Sequence, residues 1–96
     1  MFLITVTYIQ SIDVVEQHLV AHRNFLEEGY QKDYFVVSGP QNPRTGGVII
    51  SQLNNRNELM KIIEQDPFYK NKIAEYNVIE FDPVKYHKDF TPFIIK

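Results

Sequence analysis

The chain opens on β-branched and aromatic residues, and residues 2–9 (FLITVTYI) read as a strand. Phe2, Ile4, Val6 and Tyr8 fall on one face, and Leu3, Thr5, Thr7 and Ile9 on the other. Both faces are at least half apolar. Residues 14–32 shift to helical spacing, with Val15, Leu19, His22 and Leu26 on one stripe and Phe25 beside it. Asp13 is the expected N-cap, with Glu16 in a box-like spacing. Gly29 falls near the end, where it weakens the helix or helps to stop it. A second strand is expected over 34–39 (YFVVSG) and a third over 48–53 (VIISQL). Between them, Pro40-Gln41-Asn42-Pro43-Arg44-Thr45-Gly46-Gly47 is turn chemistry. A second helix is expected over 56–65, with Asn55 as N-cap, Glu58 at N3, and an apolar stripe of Leu59, Ile62 and Ile63. Asp66-Pro67 should end it, because the residue before proline is pushed out of the α region. A fourth strand is expected over 75–82 (EYNVIEFD), and an aromatic-rich tail follows.

The order β-α-β-β-α-β is the ferredoxin-like split pattern. Connection handedness then gives an α+β fold, a four-stranded antiparallel sheet with both helices on one face. The apolar second face of the strands needs a cover. A second copy of the sheet is the economical one, so the pattern predicts a homodimer packed sheet to sheet, with the tail as further contact.

Ninety-six residues make one domain, taken as 1–96 with 84–96 as its tail. The 44% hydrophobic and 23% charged fractions are ordinary globular usage and argue against disorder. A net charge of −2 with no basic stripe argues against a nucleic-acid partner. The absence of cysteine removes disulfides, thiolate nucleophiles and cysteine-based metal sites. No apolar run approaches ~20 residues, so no membrane span is expected. Met1 leads straight into Phe2-Leu3-Ile4-Thr5-Val6 without a basic region, so no cleaved signal is expected and the default location is cytoplasmic.

Three features can carry chemistry. His18 and His22 stand four apart on one helix, a spacing that can ligate a metal. Leu19 stands where a zinc protease of the HExxH type needs glutamate, and Asp66 is the only obvious third ligand, so no metal is assigned. His18 is better read as a half-exposed helix residue. His22 alone lies on the apolar stripe. A carboxylate partner would make it a general base, while on spacing alone a core histidine bonded to a backbone carbonyl stays ahead. Asp66 would oppose the helix dipole at a helix C-terminus, which calls for a compensating partner such as His22 or Arg44. Arg44 can clamp a carboxylate or phosphate although no P-loop frame surrounds it. Ser38 lacks a nucleophile elbow but can donate a hydrogen bond.

These pieces occur together as His22-Arg23-Asn24-Phe25-Leu26, Ser38-Gly39-Pro40, Pro43-Arg44-Thr45-Gly46-Gly47, Asp66-Pro67-Phe68, Ala74-Glu75-Tyr76 and Ile79-Glu80-Phe81-Asp82-Pro83. In that order and at that spacing the chain resembles the YciI (YCII-related) family almost end to end. The resemblance implies a ferredoxin-like dimeric α/β-barrel and a cleft holding a His–Asp pair, which falls on His22 and Asp66 rather than on His18. One departure is Asp33, where many relatives have glycine. One characterised branch of the family acts as a dehydrochlorinase on chlorinated hydroxyquinols, and relatives of the barrel include muconolactone isomerases and small monooxygenases.

Two functions remain open on this reading. In the first, His22 is a general base or acid oriented by Asp66, and Ser38 and Arg44 bind an oxygen or carboxylate of a small substrate. Elimination, isomerisation or hydrolysis then proceeds without a cofactor, and the tail, with Tyr86 and His87, covers the cleft from its own chain or a partner. In the second, the protein is a dimeric module that binds a small acidic ligand, and the His–Asp pair is structural. A solvent-reachable cleft at His22 separates the two.

Overall fold

The structure is a computed structural model, and it describes residues 1–94. Its elements are β1 (Phe2–Tyr8), α1 (Ile12–Gln17), α2 (Leu19–Gln31), β2 (Phe35–Pro40), β3 (Gly46–Ser51), α3 (Arg56–Ile63), α4 (Pro67–Lys70) and β4 (Ala74–Glu80). A 3₁₀ turn over Lys88–Phe93 follows. Ile95 and Lys96, the last residues of the expected tail, lie outside the described residues. The four strands form one antiparallel sheet in the order β2-β3-β1-β4, the ferredoxin-like arrangement expected from the pattern.

Strand register decides which side chains meet. Ile4 stands opposite Ile49 on β3 and Val78 on β4, and Val6 opposite Tyr76. Phe2, Ile4, Val6 and Ile49 are buried on the helix-covered face, where Val15, Leu59, Ile63 and Phe68 pack down on them. The opposite face keeps Val37, Ile79 and Phe81 exposed. No helix among the described residues is long and apolar enough to cross a membrane.

Several expectations are corrected. The helix expected over 14–32 is two helices with a break at His18. Its N-cap is Ser11, whose hydroxyl accepts from Val14 N, and not Asp13 with Glu16. At the break, His18 Nδ1 lies 3.1 Å from the Val14 carbonyl and takes up an acceptor that a continuous helix would bond through the backbone. The helix expected to run to 65 ends at Ile63, and Asp66 is not its C-terminal residue. Instead Asp66 caps α4, a short helix that the pattern did not predict, and Pro67 occupies its first turn. The strand bounds move by one or two residues, most visibly in β3, which starts at Gly46. There β1 crosses so closely that a Cβ on Gly46 would lie 1.9 Å from the Val6 carbonyl oxygen, so only glycine fits.

Candidate active site

His22 and Asp66 arrive from opposite ends of the fold. His22 stands one turn into α2, and Asp66 stands in the extended conformation that Pro67 imposes between α3 and α4. The two meet with Nδ1 at 2.8 Å from Oδ1 and 3.0 Å from Oδ2. A carboxylate only accepts, so Nδ1 carries the proton and the lone pair of a neutral ring falls on Nε2. The ring lies flat on Phe68, with centroids 4.0 Å apart and planes within 3°. Phe68 is itself packed edge-on against Tyr8. Stacking fixes the ring's plane, and the carboxylate fixes its rotation.

Asp66 is fully buried, at 0% exposure, and each oxygen is satisfied. Phe68 N donates to Oδ1 at 3.0 Å, and the Tyr76 hydroxyl donates to Oδ2. Burial first, and then the Asp66 charge and the hydrogen bond to it, push the Tyr76 phenol far above its ordinary value. Tyr76 is therefore a donor throughout the working range. No buried side-chain nitrogen or oxygen among the described residues lacks a partner.

The pair is not sealed. The His22 side chain is 12% exposed and lines a cleft of about 420 Å³ between α2 and the β2–β3 edge. Leu19, Leu26, Ile49 and Phe68 supply apolar walls. Ser38 and Arg44 line the same cleft as His22, and Asp66, the fourth expected site residue, is buried against His22 without lining the space. Ser38 is held by Tyr30, whose hydroxyl meets Oγ at 2.5 Å. Arg44 pairs at 3.1 Å with Glu16, which also lines the cleft, and not with Asp66. Glu16 and then Tyr8 hold the Arg44 guanidinium still more firmly charged than usual.

Two expected contributors lie elsewhere. His18 bonds the α1 backbone and does not line the cleft. Tyr86 and His87 are exposed, and neither covers the cleft of its own chain. The sequence assigns no role at the cleft to Tyr76, Glu16 or Arg23. Tyr76 shares a face with Val78 and Ala74, but only the β1–β4 register places that face against Asp66.

The sequence model of the YCII-related domain matches residues 1–82. No sequence among the curated proteins matches the chain. Among solved structures, the chain is similar to 5-chloro-2-hydroxyhydroquinone dehydrochlorinase (TftG) from Burkholderia phenoliruptrix AC1100, in complex with 2,5-dihydroxybenzoquinone. The identity is 25%, the TM-score 0.73, and the match covers 84% of this chain and 92% of that one.

Proposed function

Because the chain belongs to the YCII-related domain family, we propose that it is a small-molecule enzyme whose chemistry is proton transfer by His22 and Asp66. The observation that carries this reading is the His22 ring, held through Nδ1 on a buried carboxylate while His22 itself lines an open cleft. A base for carbon acids needs that arrangement: a fixed tautomer, a lone pair directed at the substrate, and a charge behind the ring to stabilise the imidazolium that forms.

In this reading Nε2 takes a proton from a carbon next to a carbonyl, and the C–H electron pair moves onto the carbonyl oxygen as an enolate. The enolate then expels a leaving group from the neighbouring carbon, or recovers the proton at another position. The first outcome is an elimination and the second an isomerisation. Both balance without an oxidant or reductant, so no cofactor is assigned. In the same reading Ser38, and Arg44 where Glu16 releases it, bond substrate oxygen, which their position in the cleft lining supports. The similarity to TftG supports the eliminating branch, since loss of hydrogen chloride is proton removal coupled to departure of chloride. The working unit is a homodimer formed through the open sheet face.

Turnover of halogenated hydroxyquinols and unsaturated lactones by the wild type and by His22→Ala tests the reading. His22→Ala should lower kcat by roughly 10²–10⁴-fold with an unchanged circular dichroism spectrum. Full activity in a folded His22→Ala protein would sink it.

A further inference from the structure

The cleft wall carries one guanidinium that forms no ion pair among the described residues. Arg23 follows His22 on α2 and lines the same cleft. It makes none of the ion pairs found among the described residues. Arg44 is different, because Glu16 lines the cleft too and holds it at 3.1 Å. Asp66 lies behind the His22 ring, buried, with both oxygens already bonded. The lining therefore presents two guanidiniums and one carboxylate, an excess of one cation.

The space fits a small molecule. About 420 Å³ accommodates one substituted ring, and the apolar walls suit its faces. A lone cation beside a base has a chemical consequence. Proton removal by His22 builds negative charge on the substrate, and a guanidinium on the same wall stabilises that charge as it develops.

We propose that the cleft selects ring-sized organic anions, that Arg23 receives the anionic oxygen, and that Glu16 withholds Arg44 from that task. The inference rests on the base reading of His22 and names the substrate class for it. Arg23 is a specificity-determining residue here. Glu16 sets which of the two arginines is available.

Binding of benzoate and of its neutral isostere benzamide, followed by NMR at the His22 ring protons, tests this without a known substrate. The wild type should bind benzoate roughly fivefold more tightly, as one partly exposed ion pair allows. Arg23→Gln should bring the two ligands close to parity, and Arg23→Lys should restore part of the difference. Glu16→Gln should tighten benzoate further, because it releases Arg44. Equal binding of the two ligands by the wild type, with the His22 ring responding, would overturn this inference and leave the base reading standing. So would a benzoate preference that survives Arg23→Gln and vanishes in Arg44→Gln. His22 ring protons that ignore both ligands would overturn the inference together with the reading beneath it.

Discussion

Asp66 concentrates most of what the site needs in one side chain. It caps a helix, orients an imidazole and accepts from a phenol, all at 0% exposure. Removing it would leave Tyr76 and His22 with buried donors and no acceptor, so Asp66→Ala should cost about 3 kcal/mol or more of stability. Tyr76 offers a gentler probe. Its folded-state value is raised above the ordinary 10.0. A raised group contributes stability that is complete below its unfolded value and is lost as pH climbs above it. The wild type should therefore lose stability above pH ~10 with one more proton in the slope than Tyr76→Phe shows, up to about 1.4 kcal/mol per pH unit. At neutral pH the same variant should be less stable by about 2 kcal/mol, the worth of a hydrogen bond to a charged group. Urea unfolding between pH 7 and 11 measures both. Parallel curves for the two proteins would mean that the Tyr76 hydroxyl does not hold a buried carboxylate.

Elements were legible where punctuation was unambiguous. Short apolar runs marked all four strands, and Asn55 marked the start of α3, where its side chain accepts from Glu58 N at 2.9 Å. Pro67 carried two meanings. It ends a helix by forcing the preceding residue to be extended, and it opens one by filling a first-turn position. The first meaning alone puts Asp66 at a helix end, whereas Asp66 begins the next helix. The break at His18 had no glycine or proline to announce it, and the apolar stripe runs through it undisturbed. The end of α2 is more instructive. Tyr34 N bonds the Gly29 carbonyl at 2.8 Å and Asp33 N bonds Tyr30 O at 3.1 Å, the two bonds of a Schellman closure. That closure needs a left-handed residue, and Asp33 supplies it at φ 60°. Gly29 meanwhile packs under Phe35, where a Cβ would lie 2.2 Å from the ring. Asp33 therefore provides the turn, and Gly29 the close packing. Asp33→Gly should thus relieve the left-handed cost and raise stability by about 0.5–1 kcal/mol. Chemical denaturation measures the change, and a loss of stability would mean that the Asp33 side chain contributes more than its backbone costs.

The whole molecule leaves one large surface unexplained. On the sheet face away from the helices, Val37 is 51% exposed, Ile79 47% and Phe81 39%. Thr7, Asn77 and Glu75 share that face, so it is mixed in polarity, as interfaces between separately folded chains are. Four strands about 4.8 Å apart and six or seven residues long cover roughly 400 Å² in plan. A stable interface takes about 800 Å² from each partner. Sheet-to-sheet contact alone falls short by that measure, even allowing for surface relief. The chain holds a second apolar source, because Phe90 and Phe93 pair at 5.2 Å on the 3₁₀ turn while Val84 and Tyr86 stand exposed before it. A dimer built on this face should therefore need both parts. Ile79→Lys should shift sedimentation equilibrium from dimer to monomer. Truncation after Pro83 should weaken the dimer by at least tenfold in Kd and leave the sheet folded. If the truncated protein dimerises as tightly as the whole chain, the sheet face suffices and the tail has another task. If the intact chain sediments as a monomer, the open face is not a dimer interface, and the cleft must work without a cover from a second chain.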